Sequence, residues 1–123
     1  MDSYESGVAK LYEMLGEEKA ETVISKFRKL SPLFEKEAVS VVFGRTWSRE
    51  QIDLKTRSLC SICILAALGR INALRINFSL ALENGASKEE IIEALLQVAI
   101  YAGYPAALDA LSMLQEVLAD QNA

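Results

Sequence analysis

One stretch constrains this chain more than any other. From Leu59 to Leu68 the residues run Leu-Cys-Ser-Ile-Cys-Ile-Leu-Ala-Ala-Leu, apolar at every helical angle except at Ser61. A helix that is apolar all round needs other elements on every side, so the rest of the chain has to wrap it. Gly69 offers a corner directly after the run, and a second apolar-rich helix is predicted from about Ile71 to Asn84, with Gly85 behind it. The expected centre is a helical hairpin. Residues seven apart in a helix are about two turns apart and nearly eclipsed, which puts Arg70, Ala73 and Asn77 on one face beside that corner. Chemistry is expected there.

The flanking segments read as helices too. Tyr4, Val8, Leu11 and Leu15 recur at helical spacing after Asp2-Ser3, and Gly16 can stop them. Ala20, Val23, Ile24, Phe27 and Leu30 form a second stripe, with glutamates early and Lys26, Arg28 and Lys29 late, the order that suits the helix dipole. Ser31 and Pro32 start a third helix with a face of Leu33, Phe34, Ala38, Val41 and Val42, expected to close at Gly44. Residues 45–52 then break the period. After Gly85, Ser87-Lys88-Glu89-Glu90 is a capping box opening a helix to about Ala102; Gly103 stops it and Tyr104-Pro105 starts the last, which frays near Asp120. No segment alternates as a strand would and no linker divides the chain, so the expectation is one all-α domain spanning residues 1–123.

Composition narrows the function. Hydrophobic residues make up 51% of the chain, more apolar surface than a domain of this size easily hides, so a homo-oligomer is expected. A net charge of −4 with scattered Lys and Arg gives no footprint for nucleic acid. The longest apolar run is about half of the roughly 20 residues that span a bilayer, and the acidic start argues against a targeting peptide. A cytoplasmic protein is expected, with no membrane contact. Without histidine, a zinc site would lack most of its usual ligands, and no metal is expected.

Several side chains could carry chemistry. Arg45, Trp47 and Arg49 could hold an anion, since guanidinium groups pair with carboxylates and an indole supplies an apolar wall; Trp47 could equally plug the core. Arg57, Arg70 and Arg75 could line a polar pocket or pair with Glu83, Glu90 or Glu93. Asn77 needs partners if buried. Tyr101, at a helix junction, could donate a hydrogen bond or a proton, or could be a packing anchor. Cys60 and Cys63 form a C-x-x-C pair, but the apolar mid-helix setting makes two buried structural residues the expected reading over a redox pair.

Taken together, Phe43-Gly44-x-x-Trp47-Ser48-Arg49, Asp53-Leu54-Lys55-Thr56-Arg57-Ser58-Leu59, Ala66-Ala67-Leu68-Gly69-Arg70, Asn84-Gly85 and Leu95-Leu96-Gln97-x-Ala99-x-Tyr101-x-Gly103-x-Pro105-Ala106-Ala107 resemble the carboxymuconolactone decarboxylase family, which includes the alkylhydroperoxidase D branch. The likeness runs from residue 43 to 118. It implies six to seven helices in an alkylhydroperoxidase D-like bundle with a central hairpin, assembled into trimers or hexamers, with a pocket near the subunit interface for a small organic acid or lactone and no cofactor. Peroxidase-type members carry C-x-x-C, a histidine four residues later and a glutamate one helix earlier; the aligned positions here are Arg70, Ala73, Asn77 and Ser58, so that mechanism is not implied. The decarboxylase type shares Arg70 and keeps a histidine where Asn77 stands. The resemblance thus implies Arg70, Asn77 and Tyr101 as catalytic positions and Arg45, Trp47, Arg49 and Ser58 as substrate-binding ones. A non-catalytic oligomeric binding protein, and a thiol-dependent peroxidase or redox protein using Cys60 and Cys63, are the alternatives.

Overall fold

The computed structural model describes residues 1–122, which form helices and no strand. Their backbone packing falls into two compact units, Met1–Asp53 and a second beginning at Leu54. No helix among the described residues is long and apolar enough to cross a membrane.

In the first unit, α1 (Ser3–Leu15) starts where the Asp2 carboxylate accepts the Glu5 N–H at 2.8 Å, and it stops at Gly16. Then α2 (Glu17–Leu30) runs to Ser31, whose hydroxyl accepts the Phe34 N–H at 3.1 Å and opens α3 (Pro32–Ala38). Leu11, Met14, Ala20, Ile24 and Val39 are buried.

Two expectations for this unit are corrected. The third helix does not close at Gly44; it widens into a π-helical segment, Val39–Thr46, that runs through it. Gly44 serves close approach instead: a Cβ there would lie 1.9 Å from the Ser3 carbonyl oxygen, and one on Gly7 2.1 Å from that of Val39. Two side-chain-free positions thus let α1 and the π-helical segment meet backbone to backbone. The expected apolar face is also not the buried one. Leu33, Phe34, Val41 and Val42 are exposed, whereas Glu35 and Val39 are buried: on the α-helical part Glu35 pairs with Arg28, and from Val39 on the wider π turn shifts the repeat.

In the second unit, α4 (Leu54–Leu68), α5 (Ile71–Glu83), α6 (Lys88–Ala102) and α7 (Tyr104–Gln121) pack as two antiparallel pairs, α4 with α5 and α6 with α7, with α5 and α4 also against α7 and α4 against α6. Gly69, Gly85 and Gly103 take φ values of +72°, +97° and +101° at the corners, which L side chains rarely adopt. Both bonds of the Ser87–Glu90 capping box form. Ile62, Leu74, Phe78, Ile91, Leu95 and Leu114 are fully enclosed, each contributing about 1.5–3 kcal/mol by burial. The expectation that α4 is enclosed all round is corrected: Ser58, Ile62 and Ala66 face inward, but Cys60, Ile64 and Leu68 are exposed.

Candidate functional site

The corner between α4 and α5 is built by the chain's own backbone. Gly69 N–H donates to the Ala66 carbonyl at 3.2 Å and Arg70 N–H to the Leu65 carbonyl at 3.0 Å, closing α4. Arg70 is then the N-cap residue of α5, with φ −84° and ψ 72°, and no side chain caps that helix. Its carbonyl accepts the Leu74 N–H at 2.9 Å, while its exposed guanidinium has no carboxylate partner among the described residues. An uncapped helix start leaves amide N–H groups and the positive dipole end unsatisfied. With an unpaired arginine beside it, the corner suits an anion.

Asn77 lies two turns along α5, half-buried, and one of its amide N–H groups donates to the Ala73 carbonyl at 2.8 Å. That bond fixes the side chain along the helix and leaves its oxygen as an acceptor and one N–H as a donor.

Ser58 is only 1% exposed, and with Glu35 it makes up the buried polar residues among those described. Its hydroxyl accepts the Asn84 amide N–H at 2.9 Å. The structure therefore joins Ser58 to Asn84 at the far end of α5, about two turns from Asn77. Sequence reasoning took Asn84 only as a helix end and missed this pairing. Next to it, the half-buried Arg57 has an enclosed Nε with no partner. Arg75, for which the sequence leaves open a polar pocket or a pairing with Glu83, Glu90 or Glu93, reaches Glu116 at 3.4 Å and Asp120 at 3.3 Å on α7.

Tyr101 is 84% exposed at the α6–α7 junction. A hollow of about 430 Å³ opens nearby between those helices, apolar throughout, lined by Leu95, Leu96, Ala99, Tyr104, Leu108 and Leu111 among others, but not by Tyr101.

In the first unit, Trp47 is buried and stacks on Phe43 with centroids 6.4 Å apart, so its ring is a packing anchor. Arg45 and Arg49 are exposed and carry no carboxylate partner among the described residues. A feature with no local sequence signal is Glu35, 4% exposed, whose Oε1 accepts from two nitrogens of Arg28 at 2.9 Å each while Oε2 is enclosed without a partner. Burial, and then a hydrogen bond to Glu35, push the Tyr4 phenol above its ordinary value. Among the described residues, no group of three or more His, Cys, Asp or Glu side chains could hold a metal.

Comparison with known proteins bears on this arrangement. The sequence profile of the Carboxymuconolactone decarboxylase family matches residues 32–116. The chain is 33% identical over 117 residues to a 4-carboxymuconolactone decarboxylase of Acinetobacter baylyi, covering 95% of this chain and 87% of that one. It is 35% identical over 96 residues to an uncharacterized 15.0 kDa protein of Paracoccus denitrificans, covering 76% and 72%. A nitrosuccinic acid decarboxylase of Metarhizium robertsii is 25% identical over 117 residues, covering 95% and 82%.

Proposed function

Because the chain belongs to the carboxymuconolactone decarboxylase family, we propose that it is a cytoplasmic, cofactor-independent carboxy-lyase acting on a small organic acid or lactone held at the α4–α5 corner. The observation that carries this reading is the unpaired Arg70 guanidinium at the uncapped start of α5. Two of the similar proteins are named as decarboxylases of carboxylated substrates, which supports the reaction class. In such a reaction the bond to the departing carboxylate breaks, carbon dioxide leaves, and the electron pair remains on the substrate until a proton arrives. Arg70 binds the negative charge and stabilises it as it moves onto the substrate. Asn77 orients the ligand with its remaining donor and acceptor. The chain has no histidine, so another group supplies the proton, and Tyr101 is the candidate.

The subunits assemble as trimers or hexamers, a reading supported by Leu96, Ile100, Tyr104 and Leu108, large apolar side chains left exposed along α6 and α7. A second reading, a non-catalytic oligomeric binding protein, is favoured by the absence of histidine. The test is loss of 4-carboxymuconolactone with purified protein, with Arg70→Ala and Asn77→His alongside. Turnover by the wild type that Arg70→Ala abolishes is the expected result; no turnover by the wild type overturns the lyase reading. Turnover gained only by Asn77→His would mean that the pocket persists while its native chemistry has moved elsewhere, and silence in all three proteins would favour the binding reading.

A further inference from the structure

The two cysteines belong to no part of the site described above. Cys60 is exposed on α4 and Cys63 is half-buried, both as free thiols, where the sequence led us to expect two buried residues. Cys63 faces α6 and its thiol donates to the Ala94 carbonyl oxygen at 3.7 Å.

Helical geometry decides what such a pair can do. Side chains three apart on a helix have Cβ atoms about 5–6 Å apart, whereas a disulfide wants about 3.5–4.5 Å. While α4 stays helical, the sulfurs are poorly placed to bond to each other but well placed to hold one atom between them. Zinc in a structural site takes four ligands, and no third His, Cys, Asp or Glu joins this pair among the described residues. Thiolates are soft ligands that select Cu(I), an ion satisfied by two of them. Ala94, which accepts from Cys63, and Leu59 also border an open hollow of about 570 Å³ that carries Glu89, Glu90 and Glu93. Of these, Glu90 is ion-paired with Lys55 on α4, and Glu89 and Glu93 carry the remaining negative charge, which draws cations.

We propose that Cys60 and Cys63 clasp one Cu(I) ion as a two-coordinate dithiolate on the surface of α4. Both thiols lose their protons to solvent on binding, two protons per ion, and no electron is transferred, so copper remains Cu(I). The site is independent of the Arg70 corner and stands whether or not the protein is a lyase.

The test is anaerobic titration of the reduced, full-length protein with Cu(I) against a bathocuproine disulfonate competitor. One ion retained per chain, lost in both Cys60→Ser and Cys63→Ser and not displaced by excess Zn(II), is the expected result. Failure of the wild type to retain copper, retention by either single variant, or displacement by zinc overturns the proposal. A second measurement needs no variant: Cu(I) should protect both cysteines from iodoacetamide, read residue by residue by mass spectrometry. Alkylation of either at the metal-free rate also overturns it.

Discussion

Glu90 is held by two partners of different kinds. One carboxylate oxygen accepts the Ser87 N–H at 2.9 Å and the other meets Lys55 at 2.9 Å. The Ser87 backbone bond first, and then Lys55, hold this carboxyl below its ordinary value of 4.5. A carboxyl depressed in the folded state contributes stability that is fully present above the unfolded value and is lost as pH falls through the folded one. Glu90→Gln should therefore be less stable than the wild type near neutral pH, with the gap closing below 4.5; urea unfolding at several pH values checks this, and a gap that persists in acid contradicts it. Half of this arrangement was legible in the sequence. The capping box joins residues three apart, so Ser87 and Glu90 announce it. Lys55 lies 35 positions from Glu90, and Asn84 lies 26 from Ser58. Pairings that far apart are set by helix packing, which no local pattern encodes. The arginines were readable as candidate anion ligands, but only the structure separates Arg70, at an open helix start, from Arg75, which is paired across to α7.

At the scale of elements, glycines marked helix ends wherever the backbone needed positive φ, as at Gly16, Gly69 and Gly103. Gly44 looked the same in the sequence and does something else. It lies within the π-helical segment and lets α1 come close, a requirement set by a partner about 40 residues away in the chain. Gly44→Ala would put a methyl group 1.9 Å from the Ser3 carbonyl oxygen, with backbone and no flexible side chain to give way. A loss of about 1–3 kcal/mol is expected from such overpacking, read as a lower denaturant midpoint; an unchanged midpoint would mean that the contact yields freely. The inner face of α3 is likewise set by a partner on another helix. A straight α-helical repeat picks out Leu33 and Phe34 as the inner face, whereas Glu35 occupies it beside Arg28.

For the whole molecule, the apolar excess visible in the composition appears as large side chains on the surface, Ile100, Tyr104 and Leu108 among them. Light scattering should give a mass of several chains, and Leu108→Glu, which places a charge in that patch, should shift it toward one; a wild-type mass of one chain contradicts the assembly. The reaction class rests on a narrower claim, that the α4–α5 corner binds an anion through Arg70. Calorimetric titration with a saturated, unreactive lactone carboxylate tests it most directly. A charge-assisted hydrogen bond contributes about 1.5–3 kcal/mol, so Arg70→Ala should weaken binding by at least about tenfold, while as an exposed substitution it leaves stability within about 0.5 kcal/mol. Binding by Arg70→Ala as tight as that of the wild type, or no binding by the wild type, would contradict the account.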